Sequence, residues 1–206
     1  MNGFELHLWR HPRLRGADGL CIGALDWPVD PRRARRLARR IARHAAAAGI
    51  AREIATSPLA RCRAVARHLR TLGWRMRVDE RLRELDFGRW HARRWSEIPP
   101  SQIAAWEADF LHYRPGGGES LASLRARLLD YVAAATSGDA PPLAITHAGC
   151  IAALATLHLD RPDAAHWPAA PPPGAYARLI VPVRLHAHAP DAVAPTRASS
   201  TKPRTS

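Results

Sequence analysis

FELHLWRHP, residues 4–12, is where the architecture of the chain first becomes legible. Residues 4–9 alternate and then run apolar, as a short strand does. A loop punctuated by Pro12, Gly16, Gly19, Gly23 and Pro28 follows it. Asp30 with Pro31 then supplies an N-cap and a first-turn proline, and Gly49 supplies the stop, so the basic stretch between them should be a helix with Leu37 and Ile41 turned inward. IAREIATS at 50–57 reads as a second strand. Ser57 and Pro58 repeat the cap-plus-proline signature before a ladder of Leu59, Cys62, Val65, Ala66, Leu69 and Leu72, which Gly73 ends. Strands alternating with helices through short joints predict an α/β domain with parallel pairing through right-handed crossovers.

Working outward, residues 75–83 suggest a third short strand. After Gly88 comes an inserted, lid-like segment of about 91–118, with a helix from about Gln102 to Leu111 that places Ile103, Trp106 and Phe110 on one face. Glycines 116–118 break the chain before a helix of about Glu119 to Ala135, on which Leu121, Leu124, Leu128 and Val132 fall at helical spacing. LAIT at 143–146 is a short buried strand, leading through Ala148-Gly149 into an apolar helix that reaches about Leu159. In YARLIVPVRLH at 176–186, Pro182 argues for an edge strand or two short strands, because proline cannot donate to a central ladder. One domain over 1–186 is expected, and the Ala, Pro, Ser and Thr composition of 187–206 predicts a disordered tail.

The 206 residues, 47% apolar and 24% charged, suit one soluble domain with a sizeable core. No apolar run approaches a membrane span, and MNGFELHLWRH lacks the pattern of a secretory leader, so a cytoplasmic protein is expected. Cys21, Cys62 and Cys150 are odd in number and form no CxxC pair, which argues against both a disulfide framework and a zinc cage. His186 and His188, two apart at the edge of the tail, suggest exposed side chains rather than metal ligands. The net charge of +13 comes almost wholly from arginine, Lys202 being the only lysine. A basic helix over 32–48 raises a second class of function, a protein that binds nucleic acid or an acidic partner. The favoured reading of these charges is a solvated face, with nucleic acid not expected as a partner.

Arg-His pairs occur at 10–11, 43–44 and 67–68, and context chooses among them. The second and third lie inside predicted helices. Arg10-His11 stands where the first strand ends and its loop begins, and open α/β sheets bind ligands outside the carboxyl ends of their strands. The same criterion selects Arg61, in the first turn after strand two, and His147, at the end of LAIT. Basic and imidazole groups brought to one sheet edge beside a helix N-terminus predict an anion pocket suited to phosphate.

LHLWRHP (6–12), TSPLARC (56–62), ELDFGRW (84–90) and THAGC (146–150) resemble, in order and spacing, the motifs of the histidine phosphatase superfamily in its phosphoglycerate-mutase-like branch. The resemblance covers roughly residues 4–186 and implies a three-layer α/β sandwich around a mostly parallel sheet whose edge strand can be antiparallel. CIGALDWP (21–28) and GGGES (116–120) are similar to segments of alpha-ribazole phosphatases, which dephosphorylate a nucleotide-loop precursor of cobalamin. The family's roles then fall on His11 as the nucleophile that takes the phosphoryl group, on Arg10, Arg61 and His147 as the cradle for its oxygens, and on Glu84 as proton donor to the leaving alkoxide. No metal or cofactor is implied. The implied activity is hydrolysis of a small phosphomonoester, with alpha-ribazole 5′-phosphate favoured and a broad-specificity sugar-phosphate phosphatase or a phosphoglycerate mutase as alternatives. The short stretch between Glu84 and His147 favours hydrolysis over mutase chemistry, and a homodimer is left open. Two departures stand out: Pro12 replaces the glycine common after the Arg-His pair, and His91-Ala92 stand where Glu-Gly is frequent.

Overall fold

The computed structural model describes residues 3–182. Five strands, β1 (Gly3–Arg10), β2 (Glu53–Thr56), β3 (Arg75–Val78), β4 (Leu143–Thr146) and β5 (Tyr176–Pro182), form one sheet in the order β3-β2-β4-β1-β5. The first four are mutually parallel. β5 runs antiparallel to β1 on the edge, where the expected proline sits at its last position, Pro182 opposite Gly3. The predicted tail, 187–206, lies outside the described residues.

The period-2 alternation of the strands sorts their side chains into two cores. Leu6, Leu8 and Ala144 face α4 (Leu121–Thr136) and α5 (Ala148–Ala155), while Trp9, Ile54, Leu143 and Ile145 face α1 (Pro31–Ala47) and α2 (Ala60–Arg70). Leu6, Leu8, Ile54 and Leu143 are fully buried, each contributing about 1.5–3 kcal/mol of apolar transfer. The helices therefore cover both faces, giving the three-layer α/β sandwich.

α1 starts as its sequence indicates: the Asp30 carboxylate accepts from Arg32 N at 2.7 Å, with Pro31 in the first turn. α2 differs. It begins at Ala60, because the Ser57 hydroxyl accepts from Leu59 N instead of capping the helix, and Ala60 N donates to Asp26 from the loop after β1. The third strand ends at Val78, where the Asp79 side chain captures Arg81 N and turns the chain into a 3-10 segment, Glu80–Leu82. α5 stops at Ala155, short of Leu159.

Segment 91–118 holds one regular helix, α3 (Pro100–Ala108), which buries no side chain completely. Trp90, Trp95, Trp106, Phe87 and Phe110 stack or meet edge to face there, with ring centroids 5.4–6.4 Å apart. The Trp90 indole N–H donates to Gln102 Oε1 at 2.8 Å. No described helix is long and apolar enough to cross a membrane.

Candidate active site

Parallel pairing brings the carboxyl ends of β1, β2 and β4 together, and the backbone continues the ladder past them. His11 N donates to Thr146 O and Ser57 N to Ile145 O, both at 3.0 Å. Arg10, His11, Arg61 and Glu84 consequently line one cavity of about 430 Å³. His147 does not line it. It lies behind, fully buried, with its ring centroid 5.2 Å from that of His11.

The His11 imidazole is nearly buried, and its Nδ1–H donates to the Pro12 carbonyl at 2.7 Å. A carbonyl can only accept, so this contact fixes the proton on Nδ1 and leaves the Nε2 lone pair available. The proline has thus not deprived the ring of its partner, because what the ring uses is the carbonyl of residue 12 rather than an N–H. Burial, reinforced by Arg61 and Arg10 and opposed by the Pro12 contact, pushes His11 down to about 3, so the ring is neutral at any ordinary pH.

Arg61 is 1% exposed and held at every nitrogen: Nε donates to His147 Nδ1 at 3.2 Å, Nη1 to Leu25 O and Nη2 to Gly23 O, both at 2.6 Å. With its Nδ1 accepting, His147 carries its proton on Nε2 and donates to Ser57 Oγ at 2.7 Å. Burial, with Arg61 and His11 adding to it, holds His147 well below the ordinary histidine range. Arg10 donates through Nη1 to Pro171 O at 2.6 Å, and its buried Nε has no partner among the described residues. Desolvation lowers the pKa of Arg10, with Glu84 acting against the shift.

Glu84 reaches the pocket from the turn after the 3-10 segment. Its Oε1 accepts from Leu85 N at 3.0 Å and its Oε2 from Gly149 N at 3.2 Å, satisfying one of the free N–H groups at the start of α5. A Cβ on residue 149 would stand 2.5 Å from Glu84 Oε1, so the glycine is what lets the carboxylate approach. The backbone beneath Glu84 is carried by Arg127 of α4, whose guanidinium donates to the carbonyls of Arg81 and Arg83 at 2.6 and 2.7 Å and pairs with both oxygens of Glu119 at 2.7 and 2.8 Å. Glu119 belongs to GGGES, so that stretch anchors the turn that presents Glu84.

Several supporting contacts lie outside the roles that the sequence suggests for these residues. Ser57 orients His147, and the carbonyls of Gly23 and Leu25 orient Arg61. His91 does not line the cavity. Its Nε2 accepts from Phe87 N at 3.0 Å and Ala24 N at 3.3 Å, tying the loop that holds Arg61 to the turn that carries Glu84. The same cavity is also walled by Leu14, Leu20, Ile22, Phe87 and Trp95, with Arg13 and Asp18, an ion pair at 2.8 Å, in the lining too. Trp95 is 39% exposed despite its apolar surface. All three cysteines are buried free thiols, and burial, with Glu84 adding to it, pushes Cys21 and Cys150 up to about 12.

Comparison with known proteins places this geometry. The chain is similar over its sheet and helices to the mycobacterial glucosyl-3-phosphoglycerate phosphatase solved with VO3, at 26% identity, covering 84% of this chain and 90% of that one with a TM-score of 0.70. A protein from Thermus thermophilus is 26% identical over 85% of this chain and 93% of its own, with a TM-score of 0.62. The alpha-ribazole phosphatase from Shigella flexneri matches at 21% identity, 85% and 89% coverage and a TM-score of 0.69, a likeness of fold. No curated protein sequence matches the chain. The family profile described as histidine phosphatase superfamily (branch 1) matches residues 6–181. A mostly parallel sheet that gathers Arg10, His11, Arg61 and Glu84 at its carboxyl edge, matched to that profile over nearly its whole described length, makes the chain a phosphoric monoester hydrolase of the histidine phosphatase superfamily, branch 1.

Proposed function

We propose that the enzyme hydrolyses a small phosphomonoester whose leaving group carries a flat apolar ring, through a phosphohistidine at His11, with alpha-ribazole 5′-phosphate as the favoured substrate. The observation that carries this reading is the mixed lining of one cavity, in which the guanidiniums of Arg10 and Arg61, the neutral His11 imidazole and the Glu84 carboxyl group share the wall with Leu14, Leu20, Ile22, Phe87 and Trp95. The buried Arg10 Nε has no acceptor among the described residues, a donor that a phosphate bound beside Arg10 could satisfy.

His11 Nε2 attacks phosphorus as the ester P–O bond breaks, and Glu84 gives its proton to the departing alkoxide. The Glu84 carboxylate then takes a proton from water, whose oxygen displaces His11 from phosphorus and releases orthophosphate. Arg10 and Arg61 stabilise the charge spread over the equatorial oxygens, a role worth ~10³-fold or more in rate for such an arginine. His147 acts through Arg61, to which its Nδ1 is bonded. A second reading, a phosphorylated sugar acid such as the substrate named for the mycobacterial neighbour, is favoured by Arg13 in the cavity lining, where a carboxylate would find a guanidinium.

The test is a substrate panel of alpha-ribazole phosphate, phosphoglycerates, sugar phosphates and nucleotides, assayed with EDTA present and quenched in mid-turnover. An acid-labile, alkali-stable phosphoryl adduct on His11 is expected. Trp95→Ala should raise KM for aromatic esters several-fold, by about 1 kcal/mol or more of lost contact, and leave sugar phosphates nearly unaffected. Equal losses for both classes would move the assignment to the sugar-acid reading, and turnover without the adduct would remove the mechanism.

A further inference from the structure

The reaction at His11 leaves the most basic surface of the molecule unused. α1 carries Arg32, Arg33, Arg35, Arg36, Arg39, Arg40 and Arg43, all exposed, and none forms an ion pair among the described residues. Like charges three and four residues apart on a helix repel one another, so the row is self-opposed until an anion occupies it. Three of these arginines also form a built feature. Arg33, Arg36 and Arg40 line a groove of about 370 Å³ together with Pro12, Arg13 and Pro173, and no acidic side chain lines it. Arg33 Nη1 reaches the Arg13 carbonyl at 3.4 Å, and the Arg40 guanidinium lies 5.6 Å from the Trp9 ring centroid, which gives two of the three side chains a fixed neighbour.

The groove adjoins the catalytic pocket, since Arg13 and Pro173 line both. Arg13 is partly committed to Asp18 at 2.8 Å, which leaves the three helix arginines as the open charge. From Arg33 to Arg40 the helix rises about 10 Å, longer than a single tetrahedral anion and matched to a short chain of linked anionic groups. Guanidiniums offer planar forks that suit phosphate oxygens. The volume is that of a small-molecule site, which favours a small oligophosphate over a nucleic-acid strand.

We propose that this arginine groove is a second anion site, which binds a multiply charged phosphate chain beside the catalytic pocket and hinders entry of the monoester by sharing Arg13 and Pro173 with it. The test is calorimetric titration with inorganic tripolyphosphate, orthophosphate and a single-stranded oligonucleotide, on the full chain and on a variant carrying Arg33→Gln, Arg36→Gln and Arg40→Gln. All three side chains are exposed, and circular dichroism checks the fold, with the double variant Arg36→Gln/Arg40→Gln as reserve. Tripolyphosphate binding should weaken at least tenfold, orthophosphate binding much less, and hydrolysis of p-nitrophenyl phosphate without added polyphosphate should be unchanged. Tripolyphosphate should also raise the apparent KM of the wild-type enzyme and lose that effect in the variant. Equal losses for tripolyphosphate and orthophosphate would reduce the effect to general charge and overturn the proposal. So would unchanged tripolyphosphate affinity, or an oligonucleotide that binds more tightly than tripolyphosphate and is lost with the same arginines. If p-nitrophenyl phosphate is not hydrolysed at all, the esterase reading fails while the calorimetry still decides the groove.

Discussion

Replacing Gly149 by alanine should separate stability from chemistry. Residue 149 lies in the first turn of α5 without a positive φ, so the backbone accepts alanine, whose helix propensity exceeds that of glycine by up to about 1 kcal/mol. The new methyl, however, would stand 2.5 Å from Glu84 Oε1, where ordinary contact begins at 3.4 Å, and the carboxylate must retreat by about 0.9 Å. That movement also stretches the 3.2 Å bond from Gly149 N to Oε2. A displacement of about 1 Å in a reacting group costs on the order of 10²-fold in rate, so Gly149→Ala should lower kcat for an alkyl phosphate by about that factor with KM little changed. With p-nitrophenyl phosphate, whose leaving group needs little protonation, the deficit in phosphorylation of His11 should shrink. Steady-state kinetics on both esters, with urea unfolding alongside, makes the measurement. Full activity of a correctly folded Gly149→Ala enzyme on the alkyl ester would refute the placing of the proton donor at Glu84.

His91→Ala strands the N–H groups of Phe87 and Ala24, which should cost about 1–3 kcal/mol of stability in denaturant titration and reduce kcat/KM through the loop that holds Arg61; His91→Gln, which keeps an acceptor, should recover part of both. For pH, the sign follows from the depressed values of His11 and His147. Each stays neutral in the folded chain while the unfolded chain takes up a proton below about 6.5, so stability should fall as pH drops from there toward the folded values, near 3 for His11, by up to about 1.4 kcal/mol per pH unit for each ring. Unfolding free energies measured at pH 7, 6, 5 and 4 should show this slope, and His11→Asn should flatten it by the share of one ring.

The parts of the site that the sequence disclosed are those in which a residue type is itself the signal. Asp30 with Pro31 marked the start of α1, the FELHLW alternation marked β1, and the convergence of Arg10, His11 and His147 at strand ends with Arg61 from the first turn of α2 followed from the parallel topology. Where a residue served a partner remote in sequence, local reading misassigned it. Ser57 looked like a helix cap but is spent on His147 and Leu59 N, and the cap of α2 comes from Asp26, 34 residues away from Ala60. The sequence suggests a third strand longer than Arg75–Val78 because nothing in RMRVDERL shows that Asp79 captures the Arg81 N–H. The resemblance implies His147 for the phosphate cradle but does not show its bonds to Arg61 and Ser57, which depend on the packing of three elements at once.

The Arg61 guanidinium has five N–H donors and spends three of them on the protein's own acceptors, an arrangement that fixes its plane before any ligand arrives. In the proposed mechanism, a fork locked in this way grips a phosphoryl group indifferently to what that group is esterified to. In that mechanism, choice among esters falls to the lining side chains Leu14, Leu20, Ile22, Phe87 and Trp95, none of which hydrogen-bonds Arg61. Chemistry and taste are thus housed in separate parts of the chain, so natural drift or laboratory selection acting on the wall could redirect the enzyme to a new ester while the reacting centre is inherited intact.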